Sequence, residues 1–295
     1  MKYIVPTVIT DAMLVSSSVA EADYAAWSAA TAYTLGQRVI RTATHSIYER
    51  LVAGTTATAP EADAVNWIRV APTNRWAMLD GAVGTSTTAS GSITVVLAPG
   101  VIRGIALLDM DVEALSITMT VDGDVVYHRD IDPIGVQEDC DNYFDYFFEA
   151  IQRRHVLVIT DLPPFGEGEL TIAASGSGPI SIGSCVLGTM YELGEALVGA
   201  SIGIIDYSRK DVDAFGVVTV AERSYAKRMT LPIALRTNVV DVATSRLARI
   251  RARAVVWIGS EQIDSLVIYG FCKDWSVVIP GRMFSTCSLE IEGLV

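Results

Sequence analysis

Between residues 73 and 190 the sequence alternates short apolar runs with turn residues, and this rhythm constrains the fold more than any other feature. The runs SITVVLA, VIRGIALLDM and ALSITMTV are seven to ten residues long and rich in Val, Ile and Thr, as β-strands are. Pro-Gly, Asp-Gly and Gly-Ser-Gly sequences separate such runs. About seven strands at this spacing predict an antiparallel β-sandwich or jelly roll.

Three shorter stretches refine this prediction. In TVDGDVV, Asp122 and Gly123 supply the two positive φ angles of a type I′ turn, which predicts a hairpin. The Gly- and Ser-rich stretch at 175–179 is typical of a loop between two further strands. The stretch DNYFDYFFEAIQR at 141–153 predicts one short helix or an aromatic-rich connection over a sheet edge.

Residues 191–295 predict a second β-rich unit. Its expected strands are AKRMTLPIAL, RARAVVWIG, LVIYGFCKDWSVVI and STCSLEIEGLV. The stretch TNVVDVATSRLARIRA has apolar residues at Val240, Val242, Leu247 and Ile250, which predicts a helix joining strands.

Residues 1–23 predict an apolar arm. Pro6 interrupts the strand-like run YIVPTVIT and confines it to a sheet edge. An arm of this kind is suited to adding a strand to a neighbouring subunit.

Composition excludes two classes of partner. The formal net charge of −12 argues against nucleic acid, because binding to phosphate backbones depends on Lys and Arg. The basic stretch RLARIRAR, residues 246–253, is interpreted as a solvated or interfacial face of a strand. No run of about 18 apolar residues occurs, so membrane insertion is not expected. With 51% apolar and 19% charged residues, the chain suits large subunit interfaces.

The cysteines and acidic residues predict no metal and no cofactor. The four cysteines lack the close pairing of a zinc site and are expected as buried free thiols of a reducing cytoplasm. Asp109, Asp111 and Glu113 alternate along one strand, so they form either a calcium site or, as we favour, a solvated acidic face. The same alternatives hold for a second acidic group: Asp139, Asp141 and Asp145.

No catalytic motif stands out, so the sequence predicts no enzyme. The three histidines, His45, His128 and His155, lie far apart in the chain, and nucleophile, zinc-protease and phosphate-loop motifs are missing. A carboxylate pair for glycoside hydrolysis remains an alternative, because such residues meet in space rather than in sequence.

Residues 24–72 hold many large rings for their number. Three short strands are expected there, in QRVIR, SIYERLVA and NWIRV. A unit of this size cannot build an aliphatic core, so bulky rings must fill it. The spaced positions are Trp27, Tyr33, Gly36, Val39, Tyr48, Gly54, Pro60 and Trp67.

This spacing resembles the small carbohydrate-binding modules of bacterial chitinases and cellulases. The resemblance covers about 45 residues and implies saccharide contact by Trp27, Tyr33, Tyr48 and Trp67. Sugar-binding members usually carry exposed aromatic residues just after the second Tyr, whereas Glu49 to Val52 follow it here. A structural docking role, with the rings mainly as core, is therefore favoured over sugar binding.

Two further stretches resemble tail and baseplate proteins of tailed bacteriophages. They are NRWAMLD, from Asn74 to Asp80, and the stretch from Tyr207 to Arg223. The sandwich is similar in texture to galactose-binding jelly rolls. In the second stretch, a charged set is expected to pair across a subunit interface or to form exposed ion pairs: Arg209, Lys210, Asp211, Asp213, Glu222 and Arg223.

The sequence thus predicts a mostly β protein with an arm (1–23), a small carbohydrate-binding-module-like domain (24–72), a β-sandwich (73–190) and a C-terminal β-rich assembly domain (191–295). The phage resemblance implies a structural virion protein of the tail tip or baseplate, made in the host cytoplasm. Other tail proteins, threefold or sixfold copies of itself, and a cell-surface glycan are the implied partners. The alternatives are a saccharide-binding receptor-recognition protein and a secreted polysaccharide-degrading enzyme.

Overall fold

The computed structural model describes residues 1–133, 153–212, 215–281 and 283–294, and the protein is mostly β. The strands are β1 (Lys2–Pro6), β2 (Leu14–Ser17), β3 (Arg38–Arg41), β4 (Ser46–Arg50), β5 (Trp67–Pro72), β6 (Thr87–Leu97), β7 (Gly104–Asp111), β8 (Ala114–Val121), β9 (Asp124–Ile131), β10 (Val156–Ile159), β11 (Glu169–Glu192), β12 (Glu195–Ala196), β13 (Ser201–Asp206), β14 (Arg209–Val212), β15 (Val218–Ala221), β16 (Tyr225–Arg236), β17 (Val255–Ile258), β18 (Val267–Val278) and β19 (Phe284–Gly293).

Helical structure is sparse in the described ranges. The helix α1 spans Val240–Ile250, and short 3-10 turns occur at Asp11–Met13, Pro60–Ala62, Ala77–Leu79, Thr237–Val239 and Asp264–Leu266. No helix in the described part of the chain has the length and apolar content needed to cross a bilayer. The helix or connection predicted at 141–153 lies outside the described residues except for Arg153.

The aromatic stretch forms its own antiparallel sheet in the order β3-β4-β5, which confirms the three predicted strands. The strands predicted for the sandwich belong to a second, much larger sheet. Its core is built from alternate residues of β6, β7, β8 and β11, with Ile93, Leu107, Ile117 and Ile172 fully buried. The predicted hairpin is confirmed: Asp122 and Gly123 have φ angles of 53° and 88° between β8 and β9.

The loop predicted at 175–179 is wrong, because β11 runs through it as one strand of 24 residues. The pairing of β11 with β6 shifts register between Ser175 and Pro179, so the small residues form a bulge. The Ser177 N–H and hydroxyl donate to Glu113 at 2.8 and 2.7 Å, which anchors the bulge to the connection between β7 and β8.

The N-terminal strand β1 lies inside the sheet, so the predicted edge position is wrong. It pairs with β11 over Lys2–Pro6 and with β17 over Lys2–Ile4, both within its own chain. Pro6 is tolerated because β17 no longer faces the strand there, so the missing N–H falls beyond that ladder. Tyr3 and Ile4 are fully buried, and β1 joins the sandwich to the C-terminal strands.

The C-terminal strands pair in the order β17-β18-β19-β16, and α1 packs against them. The predicted helix is confirmed, with Val240, Leu247 and Ile250 buried, although Val242 is 50% exposed. The basic stretch at 246–253 covers the end of α1 and the turn after it, so the strand interpretation is wrong. Its 3.6-residue period places Leu247 and Ile250 inward and the arginines outward.

A hairpin-like excursion leaves this sheet between β12 and β16. Strand β13 pairs with the first half of β16, from Ser201 opposite Thr230 to Asp206 opposite Tyr225. Beyond that point β14 and β15 pair only with each other, as a separate two-stranded sheet.

Candidate functional site

The small module buries most of the rings that the resemblance implicates in sugar contact. Tyr33, Tyr48 and Trp67 form its core with Val39. The Tyr33 and Trp67 rings meet edge to face, with centroids 5.1 Å apart, a favourable aromatic geometry. Trp27 is partly buried and packs against this core. The rings therefore fill the module, as its size requires, and saccharide contact by them stays a prediction.

Trp27 is the ring of this set that retains an accessible portion. The Arg41 guanidinium lies over it, 5.0 Å from the ring centroid. Arg41 is itself fixed by Glu61, whose carboxylate accepts two hydrogen bonds at 2.6 and 3.0 Å. These bonds hold the pKa of Glu61 below its usual value. One face of the indole is thus occupied by a cation.

Arg50 lies inside the module, where the sequence does not predict a buried cation. Its side chain is 2% exposed and its guanidinium sits 4.9 Å from the Trp67 centroid. One nitrogen donates to the Gly54 carbonyl at 3.3 Å, but Nε and Nη1 have no hydrogen-bond partner. A buried cation with so few partners is costly. The alternation of β4 could have indicated it, because Tyr48 and Arg50 lie on the same face.

His45 holds the small module against the rest of the chain. Its Nε2 lies 2.6 Å from Asp11 and its Nδ1 lies 3.1 Å from Glu21. Its ring stacks on Trp76 with centroids 4.0 Å apart. The Thr73 hydroxyl adds a hydrogen bond to Glu21 at 2.9 Å. These contacts join the arm, the module and the start of the sandwich, so the module is seated against its neighbour.

The stretch NRWAMLD, which resembles phage tail proteins, lies where the arm and the small module meet the sandwich. Trp76 and Met78 are buried in the sandwich core. The Asn74 side chain binds β6, donating to the Thr88 carbonyl at 2.8 Å and accepting from the Thr88 N–H at 2.7 Å. Its backbone N–H donates to the Asp23 carboxylate at 3.2 Å. This stretch therefore packs and connects, which is a structural role.

The acidic row at 109–113 faces a cation supplied by the chain itself. Arg153 contacts Asp111 at 3.1 Å and Glu113 at 2.7 Å. Hydrogen bonds from Ser177, followed by Arg153, hold the pKa of Glu113 below its usual value. No cluster of possible metal ligands occurs among the described residues. The second acidic group, Asp139, Asp141 and Asp145, lies outside those residues.

The other two histidines make local contacts in different places. His128 lies on β9 beside Thr118 and Asp130, at 2.8 and 3.2 Å. His155 contacts the Met110 carbonyl at 3.0 Å. The structure therefore does not bring the three histidines together.

A cleft of about 800 Å³ lies where the sandwich meets the C-terminal unit. Lys227 and Arg228 line it without an ion-pair partner among the described residues, while Arg154 there pairs with Asp264. The sequence does not indicate the cleft, because its walls come from β10, β13, β16 and the turn before β18, which are far apart in the chain.

The described residues of the excursion at 201–225 include several exposed apolar side chains. Every residue of β14 and β15 is exposed. Val218 and Val220 are exposed on β15, and Ile202 and Ile204 are exposed on β13, which pairs with β16. In the charged set of this stretch, Arg209 pairs with Asp211 at 2.8 Å within one strand, whereas Asp213 is not described.

The sequence has no match among protein-family models and none among curated proteins.

Proposed function

We propose that this protein is a structural component of the tail tip or baseplate of a tailed phage or phage-like particle, where it assembles with other tail proteins. The observation that carries the proposal is the sheet β14–β15, whose residues are all exposed. An isolated two-stranded hairpin is at best marginally stable in water. A hairpin that bears Val212, Val218 and Val220 on its surface is suited to being covered by another protein.

The contacts that fix the small module to the arm and the sandwich support the same proposal. A binding module appended to a secreted enzyme is commonly joined to it by a flexible Pro- or Ser-rich linker. Here the small module is instead fixed to its neighbour, because His45 stacks on Trp76 and contacts two carboxylates. The module therefore forms one body with its neighbour. That arrangement favours a building block over a tethered binder.

The resemblance to tail and baseplate proteins supports the setting. Of the two stretches that carry it, the first places Trp76 and Met78 in the sandwich core, and the second includes the exposed strands β14 and β15. Threefold or sixfold copy number and a place at the tail tip follow from that resemblance and from the closed symmetry that such assemblies adopt.

The proposal is tested on purified particles. Cells that encode the chain are induced to release particles, which are separated by density, and the proteins in them are counted by quantitative mass spectrometry. We expect the chain in a fixed ratio to the tail-tube protein, in multiples of three. A chain missing from every particle fraction, and releasing reducing sugar from a polysaccharide by itself, would overturn the proposal in favour of the enzyme alternative.

A saccharide-recognition role is a second candidate, favoured by the partial exposure of Trp27. Glycan-array binding by the full chain is compared with that of Trp27→Ala. The matched control is Leu35→Ala, because Leu35 is exposed in the same module. Binding that is lost only in Trp27→Ala supports this role, and binding that survives in both variants removes Trp27 from it.

A further inference from the structure

The C-terminal end of α1 carries a cluster of arginines in an otherwise acidic chain. The formal net charge of the chain is −12, yet the stretch 246–253 holds four arginines and no carboxylate. These four residues are named the arginine patch: Arg246, Arg249, Arg251 and Arg253. All four are exposed, and none has an ion-pair partner in the described part of the chain.

One face of α1 presents two of these arginines together. Val242, Arg246 and Arg249 are spaced i, i+4 and i+7 along the helix, so their side chains share that face. Val242 is 50% exposed. The Arg246 guanidinium lies over the Tyr191 ring, 5.3 Å from its centroid, a favourable cation–π contact. The face therefore offers an apolar side chain beside two cations, one of them stacked on an aromatic ring.

The structure of the helix end accounts for only part of the patch. A helix dipole favours cations in the last turn, where Arg249 lies, and Arg251 donates to the Ala248 carbonyl at 3.4 Å. Arg246 lies before that turn. Asp241, the acidic residue of α1, lies in its first turn, about 8 Å along the axis from Arg246. The patch therefore keeps positive charge that its own helix does not neutralise.

We propose that the arginine patch is the docking surface for an acidic segment of a partner protein in the assembly. A guanidinium group binds a carboxylate through two parallel hydrogen bonds. Arginine is enriched in protein interfaces and lysine is depleted, and the patch contains arginine alone. The inference rests on the proposed assembly role and names the chemistry of one contact in it.

A nucleic acid suits the patch less well than an acidic segment does. An extended polyanion that binds at 246–253 would also lie along the acidic remainder of the chain, which repels it. A short run of Asp and Glu meets the patch alone, because charges more than about 8 Å apart are largely screened at physiological ionic strength.

Binding of a labelled oligoglutamate peptide to the purified full chain tests the patch. Fluorescence anisotropy at low ionic strength compares the wild type with Arg246→Gln/Arg249→Gln. The matched control is Arg103→Gln/Arg223→Gln, because both arginines are exposed, lie outside the patch and remove the same charge. Loss of two exposed ion pairs should weaken binding roughly tenfold in the patch variant, whereas the control should stay within about twofold of the wild type. Circular dichroism checks that each variant is folded.

Two further probes separate an acidic peptide from other ligands. Oligolysine and single-stranded DNA of the same length are titrated under the same conditions, and we expect the glutamate peptide to bind more tightly than either. No binding of the glutamate peptide, equal loss in the patch variant and the control, or tighter binding of the DNA overturns the inference.

A photo-crosslinking residue in place of Val242 tests the contact in particles. We expect cross-links to a segment rich in Asp and Glu in another tail protein, and fewer of them when the chain also carries Arg246→Gln/Arg249→Gln. Particles that contain the chain but give no such cross-link overturn the inference and leave the proposed function standing. A chain that is absent from all particles overturns both.

Discussion

Arg50 is a buried cation in the small module whose favourable contacts do not offset the cost of burying its charge. Its guanidinium stacks on Trp67 and donates one hydrogen bond. A desolvated cation–π contact is worth about 2 kcal/mol, whereas burying an ion costs several kcal/mol. Desolvation therefore outweighs the stacking, and the charge should lower the stability of the module.

Arg50→Met is the corresponding prediction. Methionine fills the same space without a charge, so the free energy of unfolding should stay the same or rise by about 1 kcal/mol. Arg50→Ala is the control and should lower it by about 2 kcal/mol, because it leaves a cavity beside Trp67. Urea unfolding of the full chain, followed by tryptophan fluorescence, measures both. A loss above about 2 kcal/mol in Arg50→Met would show that the charge itself stabilises the module.

The cysteines give a second prediction at this scale. Burial raises the pKa of Cys185 and Cys272 to about 12 and that of Cys287 to about 11, against an ordinary 9.0. Fewer than roughly one thiol in a thousand is then ionised at pH 8, and only the thiolate reacts. Peptide mass spectrometry after iodoacetamide treatment at pH 8 should find all three unmodified in the folded protein and modified in urea.

The sign of the pH effect follows from the same shifts. The folded chain holds these protons more tightly than the unfolded chain. Their contribution to stability is therefore complete below about pH 9 and is lost as the pH rises toward 12. Labelling of Cys185 at the same rate with and without urea would contradict this account.

The sequence predicts which aromatic rings are buried better than it predicts which partners the ionisable side chains contact. Ring burial follows from module size, so Tyr33 and Trp67 could be assigned to a core. His45 could not be assigned, because its partners Asp11, Glu21 and Trp76 come from three segments that only the fold brings together.

Strand β11 is the element on which the sandwich and the C-terminal strands depend. Its end, from Gly188 to Glu192, pairs with β1, which in turn pairs with β17. The backbone of β1 passes so close to Gly188 that a Cβ there would collide with the Val5 carbonyl. Only glycine permits this approach.

Gly188→Ala should therefore disrupt the junction between the two units. The colliding atoms belong to the backbone and cannot turn away, so we expect a loss of about 3 kcal/mol or more in unfolding free energy. Gly178→Ala, in the bulge of the same strand, is the control, because its Cβ would meet nothing within 4 Å. Thermal unfolding measured by circular dichroism compares them. Equal midpoints would mean that β1 does not hold the units together.

At this scale the sequence predicts strands but not their partners. Apolar runs such as β16 and β19 follow from alternation, as does the Asp122–Gly123 hairpin. The Pro6 rule placed β1 at an edge, yet a proline at a strand end can lie within a sheet if one neighbour stops short of it. Pairing between distant segments leaves no local signal.

The whole molecule is a mostly β body whose small module is seated by His45 and whose C-terminal sheet exposes apolar side chains at both ends. Composition indicates such surfaces, since 51% of the residues are apolar. It cannot locate them, because β13, β15 and β18 alternate in the same way as buried strands.

The proposed function requires that the chain is a part of a particle. Electron microscopy of particles from cells that encode everything but this chain tests it most directly, with the restored wild-type chain as the control. We expect tails that lack their tip or do not form, and normal tails on restoration. Complete, infective particles made without the chain would contradict the account.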